Sequence, residues 1–306
     1  MSFPTTYHAN GKLLLTGEYL VLHGAKAIAM PLNVGQRMVV SQSESSGFLQ
    51  WRAFYDEKLW FSCELNPISF LVQHTSHPEK AETLSQLFQT IKRLNPEFET
   101  KAGVQLSTTL EANPEWGFGS SSTLVSLLSQ WAGVDPFALN ELVFKGSGFD
   151  VASATADGPI FYIKNKPVQP ILLDYPFSDQ LFLVYSGQKK KTAAAVGDFL
   201  KKKKVSDRLI FEVSRLSEEF ADCREQHEFN RLIRKHEEIV GALVGQRPVK
   251  EQYFADFVGA IKSLGAWGGD FYLVSTVQPF SAVKKYFETK GLFTMLRWDD
   301  LILKRK

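Results

Sequence analysis

Residues 114–122 read PEWGFGSSS, and this run of two glycines and three serines is the most informative stretch of the chain. Glycine permits left-handed backbone and the close approach of a ligand, and serine is favoured where a helix begins. Four apolar residues follow at helical spacing: Leu124, Leu127, Leu128 and Trp131. This spacing predicts a helix over 120–131, whose first amides and partial positive charge suit a phosphate group. The stretch is also compatible with an ordinary capped helix after a tight turn.

The composition is typical of a globular, core-forming protein. Of the 306 residues, 44% are hydrophobic and 22% are charged, and the formal net charge of +2 is too small to indicate nucleic acid as the main partner. The two cysteines, Cys63 and Cys223, lack metal-ligand spacing, which favours a reducing compartment. The longest uncharged stretch, 116–134, is interrupted by glycines and serines, and the N-terminus has no basic segment before an apolar run. We therefore expect a cytoplasmic protein with no membrane partner.

The hydrophobic pattern alternates between strand-like and helix-like stretches. In the first half we predict strands at 12–15, in short runs between 37 and 73, and at 104–110, and helices at 79–94, 120–131 and 136–144. After a linker candidate at 164–170 we predict strands at 181–185 and 271–274 and helices near 192–204, 206–222, 226–245 and 250–264. This mixture predicts an α+β protein with two lobes, 1–165 and 166–306.

Three further clusters combine glycine with ionisable residues. Gly11 and Lys12 precede Glu18 by a few residues, residues 146–152 read GSGFDVA, and residues 262–270 read KSLGAWGGD. Taken singly, each has an ordinary interpretation: a solvated lysine, a capping aspartate and a flexible turn before a strand. As an ordered set with the serine stretch, they are more specific.

The ordered set resembles the superfamily of galactokinase, homoserine kinase, mevalonate kinase and phosphomevalonate kinase, the GHMP kinases. The family pattern P-G-K-x-x-L-x-G-E is similar to NGKLLLTGE at 10–18, G-L-G-S-S to GFGSS at 117–121, and G-A-G-G-G to GAWGG at 265–269. The resemblance covers nearly the whole chain. Residues 17–22, 146–152, 186–188 and Asp270 most resemble the mevalonate kinase–phosphomevalonate kinase branch.

The resemblance implies a fold and an activity. The fold is two-lobed, with an N-terminal lobe like ribosomal protein S5 domain 2 and a ferredoxin-like C-terminal lobe. The activity is transfer of the γ-phosphoryl group of ATP, with Mg²⁺, to a small-molecule acceptor, either mevalonate or phosphomevalonate.

It also implies roles for individual residues. The nucleotide would contact Gly117, Gly119, Ser120, Ser121, Ser122, Gly265, Gly268 and Gly269. Ser121 and Glu141 would hold Mg²⁺. Asp150 would accept or orient a proton, and Lys12 would stabilise negative charge on the acceptor and the moving phosphoryl group. Glu18, Ser147 and Thr192 would contact the acceptor.

Several alternatives stay open at the level of sequence. The acceptor could be a sugar or homoserine, the enzyme could be a diphosphomevalonate decarboxylase, or the chain could bind a nucleotide without catalysis. Trp267 stands where the family has glycine and could crowd the phosphates, and Glu115 places an acid near them. The lysine runs 189–191 and 201–204 read as solvated helix faces, although the first could help to hold an anionic acceptor. The oligomeric state is not indicated.

Overall fold

The computed structural model describes residues 4–42, 46–187, 205–265 and 269–305. Its strands are β1 Thr5–Leu14, β2 Ala27–Gln42, β3 Leu49–Tyr55, β4 Lys58–Leu65, β5 Val72–Thr75, β6 Val104–Leu110, β7 Ile160–Tyr162, β8 Gln169–Pro170, β9 Leu181–Tyr185, β10 Ala260–Leu264, β11 Phe271–Ser275 and β12 Met295–Arg297. Its α-helices are α1 Pro78–Leu94, α2 Ser120–Ala132, α3 Pro136–Val143, α4 Phe149–Ala154, α5 Asp207–Asp222, α6 Gln226–Val244, α7 Val249–Tyr253, α8 Phe280–Thr289 and α9 Trp298–Leu301. The predicted α+β class is confirmed. The helix predicted near 192–204 lies outside the described residues.

The chain forms two compact units that interleave along the sequence. The first consists of Met1–Gly11, Val34–Pro114 and Phe118–Thr155. The second consists of Lys12–Asn33, Glu115–Gly117 and Ala156–Lys306. The lobe boundary between residues 165 and 166 stays a prediction.

The first unit is built on a mixed sheet with strand order β5-β4-β3-β6-β2. Its neighbours are antiparallel except β3 and β6, which run parallel from the Gln50–Gln105 pair to the Tyr55–Leu110 pair. The predicted helix at 79–94 is confirmed as α1, because its four periodic apolar residues are buried in the core of this unit: Leu84, Leu87, Phe88 and Ile91.

Three consecutive helices of the first unit carry several of the predicted site residues. Helix α2 packs against both α3 and α4. Helix α3 begins after Asp135, whose carboxylate accepts the N–H of Phe137 at 3.0 Å and so caps the helix. Helix α4 begins after Gly148, which adopts a left-handed φ of 90°.

The second unit contains a four-stranded antiparallel sheet with order β10-β11-β9-β12. Along the chain its elements run strand, helices, strand, strand, helix, strand, which is the ferredoxin-like arrangement that we expected. Phe182 and Val274 from the sheet pack with Phe287 of α8 in the core. The segment after β1 belongs to the same unit, where Leu20 and Ala25 pack against Val240 of α6.

One sequence prediction is wrong. The helix predicted at 250–264 ends at Tyr253, and 260–264 is instead strand β10. Gly259, with φ of 142°, stands directly before the strand, where a Cβ would lie 2.4 Å from the Ser275 carbonyl oxygen. The strand was hidden because all five of its residues are buried, so polar and apolar positions do not alternate. The linker candidate at 164–170 includes strand β8, which pairs with β7, and its role as a lobe boundary stays a prediction.

The described residues contain no helix that is both long and apolar enough to cross a membrane.

Candidate active site

Helix α2 starts at Ser120, as the serine stretch predicts, but no serine occupies its N-cap. Gly119 stands at the N-cap with a left-handed φ of 86°, and no side chain caps the helix. The first helical hydrogen bond runs from the Thr123 N–H to the Gly119 carbonyl, at 3.0 Å. Helix geometry therefore leaves the amides of residues 120–122 without helical acceptors. Ser120 and Ser121 are exposed, so their hydroxyls and amides can meet a ligand.

The next two residues anchor this turn instead of facing solvent. Ser122 is buried, and its hydroxyl donates to the Gly119 carbonyl at 2.7 Å. Thr123 is also buried, and its hydroxyl donates to the side-chain oxygen of Gln36 on β2 at 2.7 Å. Of the three serines named as nucleotide ligands, Ser122 can thus offer its amide more readily than its hydroxyl.

A small recess lies beside Ser120 within the first unit. It is mostly apolar and is lined by residues that include Val34, Gly35, Leu110, Pro114, Phe118 and Thr123. At Gly35 a Cβ would lie 2.0 Å from the Ala9 carbonyl oxygen, which explains glycine there. Sequence reasoning missed this recess, because its lining comes from separate strands and carries no motif.

Helices α3 and α4 place Glu141 and Asp150 in the same unit. Glu141 is exposed on α3, and Asp150 is partly buried in the first turn of α4. Between the two helices the Asn140 carbonyl accepts the N–H groups of Phe144 and Lys145, at 2.8 and 3.1 Å. Ser147 is buried in this connection. The structure therefore gathers Ser120, Ser121, Glu141 and Asp150 on three mutually packed helices.

Lys12, Gly117 and Asp270 meet in the second unit. The Lys12 ammonium donates to the Gly117 carbonyl at 3.2 Å. Gly117 has a left-handed φ of 68°, and a Cβ there would lie 2.2 Å from the Asp270 carboxylate. Gly265, with φ of 86°, approaches the same carboxylate, since its Cβ would lie 2.9 Å away. One buried aspartate therefore requires glycine in both the second and the third motif.

Trp116 belongs to an aromatic cluster in the second unit, and the backbone of its neighbour Glu115 contacts the same cluster. The Trp116 ring meets Phe271 edge-on at 5.9 Å between centroids and lies 6.3 Å from Tyr185. The Tyr185 hydroxyl donates to the Glu115 carbonyl at 3.4 Å. Burial, with Glu115 and Asp270 nearby, raises the pKa of Tyr185. These ring contacts hold Trp116, which directly precedes Gly117, against the end of the sheet.

Glu18, the last residue of the first motif (10–18), lies in a buried ionic cluster that sequence reasoning did not find. The Lys262 ammonium forms a buried ion pair with one Glu18 carboxylate oxygen, and the other oxygen lies 3.2 Å from Nε2 of His236. Glu237 is buried next to them and accepts the N–H of Ser263 at 3.0 Å. We define these four residues, Glu18, His236, Glu237 and Lys262, as the buried ionic cluster. His236 is fully buried, whereas His227 is exposed.

Burial dominates the electrostatics of this cluster. It raises the pKa of Glu18, against the opposing effect of Lys262. It lowers the pKa of His236 well below the ordinary range, so the imidazole is neutral. Burial also raises the pKa of Glu237 to about 7.

The remaining predicted site residues lie outside or beside the described segments. Thr192, Trp267 and Gly268 are outside the described residues, as are the two lysine runs, and Gly269 directly precedes Asp270. Within the described residues no three His, Cys, Asp or Glu side chains form a metal-holding group. A metal cage made by the protein alone is therefore not present in this part of the chain.

No protein-family model and no curated protein matches the chain. Several solved structures, in contrast, match the chain. Mevalonate kinase from Methanococcus jannaschii superposes with a TM-score of 0.73 at 16% identity, over 100% of this chain and 99% of that one. Phosphomevalonate kinase from Streptococcus pneumoniae, in complex with phosphomevalonate and AMPPNP, gives 0.67 at 16% identity, over 97% and 100%. Galactokinase from Lactococcus lactis, complexed with galactose, gives 0.64 at 11% identity, over 99% and 94%.

These likenesses define the class by its fold. The chain has the fold of the GHMP kinase superfamily. Within that superfamily, its structural neighbours include both mevalonate kinase and phosphomevalonate kinase, the branch that the motifs resemble.

Proposed function

We propose that this protein is a kinase that transfers the γ-phosphoryl group of ATP to a small-molecule acceptor. The observation that carries the proposal is the start of α2, where uncapped amides and two exposed serines adjoin an apolar recess. Unpaired amides at a helix N-terminus favour phosphate. One structural neighbour was solved with AMPPNP, a nucleotide analogue, which supports the same ligand here.

We assign the nucleotide phosphates to Gly119 and to the residues that open α2, namely Ser120, Ser121 and Ser122. Gly117 and Gly265 are assigned to the nucleotide from the motif resemblance, because the space that each leaves at Cβ is filled by the Asp270 carboxylate. Gly268 and Gly269 would extend this glycine-rich lining, as the motif resemblance implies.

The residues present fit a magnesium ion that is held mainly by phosphate and water. Ser121 offers an exposed hydroxyl in the first turn of α2, and Glu141 offers an exposed carboxylate on the packed neighbour α3. Two hard oxygen ligands are enough, because Mg²⁺ in kinases keeps several waters and binds substrate phosphates. When bound, Mg²⁺ would neutralise the charge that develops on the phosphate oxygens.

We assign the chemistry to Lys12 and Asp150. The Lys12 ammonium, held at the Gly117 carbonyl, would stabilise negative charge on the acceptor and on the transferring group. Asp150 would take the proton that an alcohol acceptor loses as the new bond forms. With a phosphate monoester acceptor the oxygen is already largely ionised, since its second pKa is about 6. Asp150 would then orient the acceptor and would not need to deprotonate it.

For the acceptor we propose mevalonate or phosphomevalonate. The motif resemblance and the structural neighbours of that branch support this choice. Ser147 and Thr192 are the residues that we assign to acceptor binding. Glu18, named with them, is buried and paired with Lys262, which favours an indirect role.

An ADP-release assay against a panel of acceptors tests the proposal. The panel is mevalonate, phosphomevalonate, diphosphomevalonate, galactose and homoserine, each with ATP and Mg²⁺. We expect turnover with one of the first two. Turnover with galactose or homoserine would replace the acceptor, and carbon dioxide release from diphosphomevalonate would replace the reaction. Nucleotide binding without turnover on any acceptor would indicate a non-catalytic protein, and no nucleotide binding would overturn the proposal.

A further inference from the structure

The buried ionic cluster ties the first sequence motif to the third. Lys262 lies on β10 with its side chain about 1% exposed, and its partner Glu18 lies 244 residues away in the chain. A buried lysine is costly unless it is paired. Beside this pair, Nε2 of His236 accepts the N–H of Gly17 at 3.2 Å. Both residues that end the first motif are therefore held from the C-terminal part of the chain.

A second set of contacts closes this connection into a ring. Gly265, three residues after Lys262, approaches the carboxylate of Asp270. That carboxylate also meets Gly117, and the Gly117 carbonyl accepts the ammonium of Lys12. Lys12 lies on β1, only a few residues before Gly17 and Glu18. Contacts thus run from Lys12 through Gly117 and Asp270 to Gly265. Strand β10 leads from Gly265 back to Lys262, whose ion pair reaches Glu18, and the chain from Glu18 leads back to Lys12.

The segment between Lys12 and Glu18 has one further buried anchor, at Thr16. The Thr16 hydroxyl lies 2.7 Å from that of Ser217 on α5, and it accepts the N–H of Ile28 at 3.0 Å. Thr16, Gly17 and Glu18 therefore each have a partner in the interior of the second unit. A displacement of these residues would reach Lys12 along a short, extended piece of backbone.

We propose that Lys262 and His236 are positioning residues, which hold Glu18 and Gly17 and thereby fix where the Lys12 ammonium lies. This inference rests on the proposed function for what Lys12 does, but the positioning itself is independent of the acceptor. Neither residue needs to touch a substrate. Their effect is on the placement of a charged group, and a misplacement of about 1 Å can cost about 100-fold in rate.

The decisive comparison is between a single and a double variant. Lys262→Met leaves Glu18 buried without its cation, and we expect the melting temperature to fall by about 5–10 °C. Glu18→Met with Lys262→Met replaces the ion pair by two side chains of similar length, which is often neutral for stability. The double variant therefore separates loss of positioning from loss of fold.

For the folded double variant we expect kcat to fall by about 10- to 100-fold, with the KM for ATP and for the acceptor changing less than about threefold. A rise in the acceptor KM with unchanged kcat would instead make Glu18 an acceptor contact and overturn the proposal. We expect His236→Phe, which removes the acceptor of the Gly17 N–H, to lower kcat in the same direction.

Hydrogen exchange supplies a readout that needs no substrate. In the folded double variant we expect the amides of 13–18 and 115–117 to exchange about tenfold faster, with β11 unchanged. Exchange and kcat both within about twofold of the wild type would overturn the proposal. If the wild type transfers phosphate to nothing in the panel, the proposed function fails, whereas the exchange measurement still decides the positioning.

A matched control exists in the same unit. Lys26 and Glu218 form a Lys–Glu ion pair whose side chains are 21% and 50% exposed. Lys26→Met with Glu218→Met should leave kcat and the exchange of 13–18 unchanged. An equal loss in this control would mean that any Lys–Glu pair of this unit has the effect, and the assignment to Lys262 would fail.

Discussion

Gly117 and Gly133 have nearly the same left-handed φ in different surroundings. Their φ values are 68° and 63°. A Cβ at Gly133 would meet nothing within 4 Å, whereas at Gly117 it would overlap the Asp270 carboxylate. The pair therefore separates the cost of left-handed backbone from the cost of a steric clash.

We predict that Gly133→Ala lowers the free energy of unfolding by about 1–2 kcal/mol, which is the price of a left-handed alanine. Gly117→Ala should cost about 1–3 kcal/mol more, because the buried carboxylate must also move. Urea denaturation of both variants measures the difference. Equal losses would show that Asp270 does not confine Gly117.

Lys12 and Asp150 are the two residues whose charge the proposed chemistry uses. We predict that Lys12→Met lowers kcat by about 100- to 1,000-fold and that Asp150→Asn lowers it by about 100- to 10,000-fold for an alcohol acceptor. Both residues are only partly buried, so the melting temperature should change little. Steady-state kinetics beside thermal denaturation checks this. Near-normal turnover in either variant would refute its role.

At the scale of elements, Glu237 joins helix α6 to strand β10 and to the start of α7. Its carboxylate accepts the N–H of Ser263 at 3.0 Å and that of Val249 at 3.4 Å. Burial is the main cause of its raised pKa of about 7, with Glu18 raising it further and Lys262 opposing the rise.

A raised carboxyl pKa makes stability fall as pH rises. Between the ordinary value near 4.5 and the folded value of about 7, the folded state holds a proton that the unfolded state has lost. We predict that this group removes about 3 kcal/mol of stability as pH rises from 4.5 through 7, with the loss levelling off about one pH unit higher. Glu237→Gln, which cannot ionise, should remove that part of the pH dependence. Urea titrations of both proteins at pH 5 and pH 8 measure it, and parallel losses would contradict the assignment.

At the scale of the whole molecule, a ligand that binds only the folded chain must stabilise it. We predict that a non-hydrolysable ATP analogue with Mg²⁺, at about 100 times its dissociation constant, adds about 2.7 kcal/mol. The melting temperature should therefore rise by several degrees. AMP at the same concentration, which lacks the outer phosphates, should raise it less. Differential scanning fluorimetry makes the comparison. An equal rise with AMP would argue against phosphate binding at the start of α2.

The sequence by itself determined those features whose cause is local. Helix α2 follows from the spacing of Leu124, Leu127 and Leu128 and from the glycine before it, and α1 follows from a similar stripe. The glycine and serine motifs predicted turns and helix starts, which neighbouring residues set. The superfamily fold was predicted from the resemblance of these motifs to those of the GHMP kinases.

Only the tertiary structure decided the features that depend on distant partners. Strand β10 was missed because burial on both faces removes the alternation that marks a strand, and its lysine is paired there with Glu18. Asp270 explains two glycines that are 148 positions apart in the chain, Gly117 and Gly265. Periodicity reports which side of an element faces the core, whereas the partner of a buried charge is fixed by chain segments that meet only when the protein folds.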